Sequence, residues 1–248
     1  MTDLKDAVVL VTGAAGGIGS EICRHFARDG AKVVVTYRSS EEKAKALYES
    51  LSGSGHSLLR AVVDDSQSLT ALAAEVRATY GRLDVLVNNA GMTRPVPHED
   101  LDALDDELID QIFRVNVRGA IAAVRAFKGL LLESSNALVV NISSIAGRTG
   151  VGSNVAYCAS KAALDSVARS LARALAPEIR VVSVAPGWVM GEYAAKMPPG
   201  VLEEQEARTP LGRVAKAEDV ARAVIAAATH LTFSTGCIIP VDGGRPLG

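Results

Sequence analysis

Aromatic side chains are scarce in this chain: four Phe, five Tyr and one Trp make up 4% of its 248 residues. With so few large rings, and with Ala, Val and Gly abundant, the interior is expected to be helices packed tightly on a parallel sheet. Cysteine is scarce too. Cys23, Cys158 and Cys237 are an odd, scattered set with neither paired nor metal-ligand spacing, so neither disulfides nor a metal site is expected. Neither sign of charge is in excess: 26 Lys and Arg against 28 Asp and Glu leave a net charge of -2, too little to gather nucleic acid or an anionic membrane. A small-molecule partner is the expectation. No apolar run approaches the ~20 residues that span a bilayer, and residues 1–5 are polar and acidic where a leader would be charged and then apolar. The protein is therefore expected in the cytoplasm. Linkers, low-complexity tracts and internal repeats are missing as well, so residues 1–248 are read as one domain.

What the chain has is a rhythm. Short β-branched runs at 8–11, 32–36, 59–63, 85–87, 137–142, 180–185 and 237–241 read as strands. Amphipathic segments such as 19–29, 66–80, 103–127 and 154–176 separate them. Nearly continuous apolar strands linked by helices predict a Rossmann-type, doubly wound α/β fold, with a parallel sheet covered on both faces. The long irregular stretch at 187–210, rich in Gly, Pro and Met, is expected to be a substrate lid.

The first strand runs into Thr12-Gly13-Ala14-Ala15-Gly16-Gly17-Ile18-Gly19 and then directly into a helix. In that context a Gly-rich turn lets the backbone approach a dinucleotide pyrophosphate, while the helix N-terminus offers free N–H groups. Gly13, Ala15, Gly16, Gly17, Ile18 and Gly19 are the candidate contacts; a flexible connector is the rival reading. After the second strand, where an acid would select a ribose 2′-hydroxyl, stand Arg38, Ser39 and Ser40. A guanidinium there can fork onto a 2′-phosphate, which favours NADP(H) over NAD(H). A merely solvated Arg38 would leave the choice open. Asp64 and Asp65 follow the third strand, and Asn89, Ala90 and Gly91 the fourth. Strand ends of this kind form the ligand crevice, so Asp64 is assigned to the adenine amino group and Asn89 to the neighbouring backbone or ribose. Helix caps and turns are the alternative roles.

Further on, Asn141-Ile142-Ser143-Ser144 ends a strand and Tyr157-Cys158-Ala159-Ser160-Lys161 opens a helix. Tyr157 and Lys161, at i and i+4, share a helix face. A phenol that titrates near 10 needs about 4 kcal/mol of help to exchange protons at neutral pH, and a nearby ammonium acts in the required direction. By spacing alone the pair could be an ordinary amphipathic one.

Over essentially its whole length the chain resembles the short-chain dehydrogenase/reductase family: in residues 12–19 and 88–91, in Asn116, in Ser144 thirteen residues before Tyr157, in Tyr157 with Lys161, in Pro186-Gly187 and in Val241-Asp242-Gly243-Gly244. The resemblance implies an oxidoreductase that moves hydride between a nicotinamide and a carbonyl carbon. It makes Ser144 the hydrogen-bond donor to the substrate oxygen and Tyr157 the proton exchanger. Lys161 would hold the nicotinamide ribose, and Asn116 a water of the proton relay. Ser143 is the rival for the Ser144 role. Pro186, Gly187 and the backbone of Val189 would complete the cofactor contacts. Two departures stand out: no basic residue lies inside the glycine turn, and Gly191 occupies a position often held by Thr.

The chain looks most like the 3-oxoacyl-acyl-carrier-protein reductases, yet the stretches that are basic in those enzymes read Glu133-Ser134-Ser135-Asn136 and Ala176-Pro177-Glu178 here. Charge complementarity with an acidic carrier is lost. A free ketone, alcohol or thioester is the expected substrate, with the carrier reductase as competitor. Trp188, Met190, Tyr193 and Met197 offer apolar lid surface, core packing being the alternative for Trp188. Arg94 is read as lining the mouth or as a solvated loop cation. A non-catalytic NADP(H)-binding sensor is the rival from another class, and a methyltransferase has no use for the Ser–Tyr–Lys set. The resemblance also implies a homotetramer.

Overall fold

A computed structural model of the chain describes residues 3–191 and 200–247. Seven parallel strands form one sheet in the order β3-β2-β1-β4-β5-β6-β7, with β1 Val8–Val11, β2 Lys32–Tyr37, β3 Ser57–Arg60, β4 Val85–Asn88, β5 Ala137–Ile142, β6 Ile179–Pro186 and β7 Ile238–Val241. The order reverses direction between β1 and β4. Side chains alternate across each strand, so the sheet has two apolar faces. Val9, Val11, Val85, Val140 and Val182 pack beneath α1 Gly17–Arg28, α2 Glu41–Glu49 and α9 Ala217–Thr229. On the other face Leu10, Leu86, Val139 and Val181 meet α3 Ser66–Tyr80, α5 Gly119–Leu131 and α7 Val155–Leu175. The remaining helices are α4 Asp106–Phe113, the short α6 Ala146–Thr149 and α8 Val201–Ala207.

Three differences from the sequence expectations have physical reasons. The third strand lies at 57–60, two residues before the expected 59–63, because Val62 and Asp65 already turn toward α3: Asp65 N–H bonds the Val62 carbonyl and the Asp65 carboxylate caps Gln67 N–H. The helix expected at 103–127 begins only at Asp106 and is interrupted by a π segment, Arg114–Arg118, between α4 and α5. The stretch expected to be an irregular lid contains α8, with Arg208 N–H closing its last turn on Glu204. Tyr193 and Met197 lie outside the described residues.

Cys23 and Cys158 are buried, and desolvation pushes both thiols above their ordinary range. Among the described residues no helix is long and apolar enough to cross a membrane, and no group of three or more His, Cys, Asp or Glu could hold a metal ion.

Candidate active site

The C-terminal ends of β1, β4, β5 and β6 bring the sequence-predicted residues to one rim of the sheet. Thr12, at the end of β1, ties two strands together: its hydroxyl donates to Val87 O and accepts the N–H groups of Asn89 and Ala90, both at 3.0 Å. Asn89 Nδ2 returns the tie, donating to the carbonyls of Thr12 and Gly13 at 3.0 Å each. Asn89 thus bonds neighbouring backbone, one of its two expected roles. Gly13 has φ +63°, and a Cβ there would stand 3.0 Å from Ala90 Cα. At Gly19 a Cβ would meet Gly13 O at 2.6 Å and Asn89 Nδ2 at 2.7 Å, so this glycine is demanded by the fold of the turn itself. Gly17 is different. Nothing lies within 4 Å of a Cβ placed there, and the helix cap at Gly16 has no side-chain acceptor, so the N-terminus of α1 opens onto free space.

Farther along the rim, Arg38 is exposed, and among the described residues its guanidinium has no hydrogen-bond or ion-pair partner. Arg60 Nε donates to the Arg38 carbonyl at 3.2 Å, bringing a second guanidinium beside the same strand end. Ser39 is exposed next to it. The two acids after β3 divide: Asp65 is spent capping α3, whereas Asp64 Oδ1 is buried without a hydrogen-bond partner. Asp64 is held in place through its carbonyl, which accepts from Arg118 Nη2 at 2.5 Å.

Tyr157 and Lys161 lie in the first turns of α7. Asn154 Oδ1 caps this helix by accepting the Tyr157 N–H at 2.7 Å, and Asn154 Nδ2 donates to Arg94 O and Thr93 Oγ1. Thr93 and Ser153 share a hydroxyl hydrogen bond of 2.5 Å, so the loop after Gly91 is clamped to the start of α7. The Arg94 side chain pairs with Asp105 and donates to Ala103 O, a loop tie of its own. Lys161 Nζ stands 5.6 Å from the Tyr157 ring centroid and donates to Ile142 O at 2.8 Å. Its side chain is buried, and desolvation pushes the ammonium down to about 8, with Asp165 acting in the opposite direction.

The neighbouring serines point to different places. Ser143 is buried and donates to the Lys161 carbonyl at 3.4 Å. Ser144 is half-buried and accepts the Ala146 N–H at 3.1 Å, which leaves its own proton available. Close packing of α6 on α7 fixes the pair's separation: a Cβ on Gly147 would stand 2.7 Å from Ala162 N. Asn116 sits in the π segment, and its amide grips the Met92 backbone, Oδ1 accepting from N–H at 2.8 Å and Nδ2 donating to O at 3.1 Å and to Ser160 Oγ at 3.1 Å. Both amide protons are committed, so a relay water could lean on this side chain only through Oδ1. A Cβ on Gly91 would lie 3.4 Å from Asn116 Oδ1 and 3.7 Å from Lys161 Nζ, so these three residues converge.

Pro186 O accepts from Ile145 N–H, and Gly187 N–H donates to Val241 O, both at 3.0 Å. Val189 bridges to Ala215 through bonds made by its neighbours, Met190 N–H to Ala215 O and Ala215 N–H to Trp188 O. Its own N–H and carbonyl take no part. Thr12, Met92, Thr93, Asn154 and Ser160 were not singled out as site residues from sequence; only Asn154, a cap three residues before Tyr157, carries a local signal there.

Comparison with known proteins puts this rim in context. A family model described as enoyl-(acyl carrier protein) reductase matches residues 13–245. The chain is 38% identical over 253 residues to the protein named ketoacyl reductase 2 of the granaticin polyketide synthase in Streptomyces violaceoruber, covering 99% of each. It is 34% identical over 245 residues to the 3-oxoacyl-acyl-carrier-protein reductase FabG of Thermotoga maritima, covering 97% of this chain and 98% of that one. A crystal structure from Burkholderia xenovorans, described as a short-chain dehydrogenase/reductase, superposes with a TM-score of 0.91 at 33% identity, covering 98% and 99% of the two chains.

Proposed function

The chain belongs to the short-chain dehydrogenase/reductase family and is an oxidoreductase, and from that premise we propose that it interconverts a ketone or 3-oxoacyl thioester and the secondary alcohol, with Tyr157 as general acid and base. The observation that carries this reading is the buried Lys161 side chain 5.6 Å from the Tyr157 ring. A cation held out of water beside a phenol favours phenolate, which is the shift the proton exchange requires. Ser144, its oxygen already occupied by the Ala146 N–H, donates its proton to the substrate oxygen. Asn116 holds the Met92 backbone and Ser160 in place around the pair.

The residues of the rim fit a nicotinamide dinucleotide. The open N-terminus of α1 beyond Gly16, Gly17 and Ile18 suits a pyrophosphate, with Gly13, Ala15 and Gly19 shaping the turn. The unpartnered Asp64 Oδ1 suits an adenine amino donor, and Asp65, Asn89, Ala90 and Gly91 would add contacts from the neighbouring strand ends. Lys161 would meet the nicotinamide ribose, and Pro186, Gly187 and the free backbone groups of Val189 the carboxamide end. When bound, the nicotinamide supplies or takes up the hydride. We assign NADP(H) over NAD(H) because the Arg38 guanidinium has no partner among the described residues and Arg60 stands beside it. Both Ser39 and Arg38 would face the 2′-phosphate.

For the substrate, the exposed Glu133 and Glu178 on the carrier-docking stretches favour a free ketone or thioester. The names of the relatives favour a second reading, a 3-oxoacyl-acyl-carrier-protein reductase. Rates on simple ketones and on acetoacetyl thioester, free and carrier-bound, separate the two; a clear preference for the carrier-bound form would select the second. A homotetramer is part of the proposal. The test of the mechanism is Tyr157→Phe, expected to bind NADPH as the parent does while turnover drops about 10²–10⁴-fold. Retained turnover would sink it.

A further inference from the structure

Behind Lys161, away from the substrate side, lies a buried polar patch for which the proposed chemistry has no use. Register places Asn88 of β4 beside Asn141 of β5, and Asn141 beside Ser183 of β6. All three are buried and lie on the sheet face that α5 and α7 cover, since they continue the alternation of Leu86, of Val139 and of Val181. Asn88 Nδ2 donates to Asn141 Oδ1 at 2.9 Å, but Asn141 Nδ2 and Ser183 Oγ have no hydrogen-bond partner. On α7, Asp165 is 4% exposed and its Oδ1 is likewise unpartnered.

Asp165 faces that patch. It belongs to the buried stripe Lys161, Asp165, Ala168 and Ala172, of which Ala168 and Ala172 pack against the sheet. The helix runs antiparallel to the strands it covers. At the level of Lys161 the sheet presents Ser143, whose hydroxyl bonds the Lys161 carbonyl. One helical turn later, about 6 Å along the axis, the sheet presents residues two positions earlier, Asn141 and its neighbour Ser183. Asp165, Asn141 and Ser183 thus share one level of this buried layer, although Asp165 Oδ1 makes no hydrogen bond to either of the other two. An apolar residue would fill this place without leaving any polar atom unpaired, so a carboxylate here calls for a reason.

We propose that Asp165 is a positioning residue for Lys161: one turn along the same buried stripe of α7, its carboxylate keeps the lysine in its ammonium form beside the Tyr157 phenol. The inference rests on the Tyr157–Lys161 reading above. Burial drives Lys161 toward the neutral amine, and the Asp165 carboxylate acts on it in the opposite direction. The other ionisable neighbours do not substitute. Tyr157 and Cys158 are on the same helix; β5 and β6 present only Asn141, Ser143 and Ser183 here. The π segment contributes neutral Asn116, with Arg114 and Arg118 exposed, while α4 holds its acids at the surface and the α6 Arg148 is exposed and turned to Asp242.

The experiment is the pH profile of kcat for alcohol oxidation with NADP+, which needs the phenolate, in Asp165→Asn and Asp165→Leu, beside parent and Tyr157→Phe. Losing the carboxylate weakens the ammonium that favours phenolate, so the acid limb should move up by about one pH unit and the ratio of acid to alkaline turnover fall about tenfold. Melting curves of both variants guard against a folding artefact: removing the carboxylate leaves the buried Lys161 without its counter-charge and lowers melting somewhat, and the profiles are read only from variants that remain folded at the assay temperature. A folded Asp165→Leu with an unmoved profile overturns the proposal, as does a loss that is uniform with pH and accompanied by lower melting. If Tyr157→Phe keeps its turnover, the parent reading has failed; if it loses turnover and the Asp165 profiles do not move, only this inference has.

Discussion

Lys161 serves the proposed chemistry at the expense of the fold. Its burial lowers the ammonium from 10.5 to about 8, so the folded protein binds this proton more weakly than the unfolded chain. Between those two values the unfolded chain keeps a proton that the folded one has released, so this residue's contribution to stability improves as pH rises through the window and is least favourable below it. Replacing Lys161 by Met removes this titration, so denaturant titrations should show the parent gaining stability relative to the variant as pH rises from about 8 toward 10.5, while turnover is lost. Parallel pH dependences of the two proteins would contradict this account. Arg38 is the opposite case, an exposed cation whose guanidinium has no partner among the described residues. Arg38→Ala should leave melting unchanged and lower kcat/KM for NADPH relative to NADH about tenfold or more, the value of one charge-assisted phosphate contact; an unchanged ratio would argue for a solvated side chain. Single residues were legible in the sequence only where chemistry and spacing agreed. Ser144 is preferred to Ser143 for its thirteen-residue separation from Tyr157; strand parity, which buries 143 with 137, 139 and 141 on the α7 face, plays no part in that choice. Asp64 is assigned to the adenine end with a helix cap as its alternative role, and that Asp65 instead caps α3 follows from where β3 ends.

At the scale of elements, the rhythm of strands and helices was readable because the five inner strands, β1, β2, β4, β5 and β6, are buried on both faces and read as nearly continuous apolar runs. The failures came where tertiary contacts override local pattern. The π segment at Arg114–Arg118 exists because Asn116 must reach the Met92 backbone and Ser160 at once, and no periodicity in 103–127 announces that geometry. The Gly-rich turn was legible as a motif, but its glycines are not equivalent, and a pair of substitutions exposes the difference. Gly19→Ala would press a Cβ into Gly13 O and Asn89 Nδ2 and should lower stability by about 2 kcal/mol or more. Gly17→Ala meets no protein atom within 4 Å and should melt like the parent or slightly higher, alanine being the better helix former. If the pyrophosphate occupies that open space, the same alanine should still weaken NADPH binding in a fluorescence titration. Unaltered binding would move the pyrophosphate elsewhere on the rim.

On the scale of the whole molecule, the surface over α4, the π segment and α5 carries a groove of about 590 Å³ in which Phe113, Val117 and Ile121 lie among Asp110, Arg114 and Arg118. Ile121 is 40% exposed there. An isologous contact would set this surface against itself about a two-fold axis, bringing Asp110 of one copy toward the arginines of the other and burying Ile121 between them. Such pairing would be one element of the proposed tetramer. Ile121→Glu should place like charges across the axis and shift the sedimenting species to smaller mass; an unchanged mass would exclude this face. The consequence should extend to the cofactor. Arg118 lines the groove and also donates to the Asp64 carbonyl, behind the carboxylate assigned to adenine. Freed of its neighbour, Arg118 gains rotamers and Asp64 loses part of its support. The dissociated variant should therefore bind NADPH several-fold more weakly than the parent, although Ile121 touches no residue of the site. Smaller particles with parental affinity would show that the groove and the adenine end of the rim are independent.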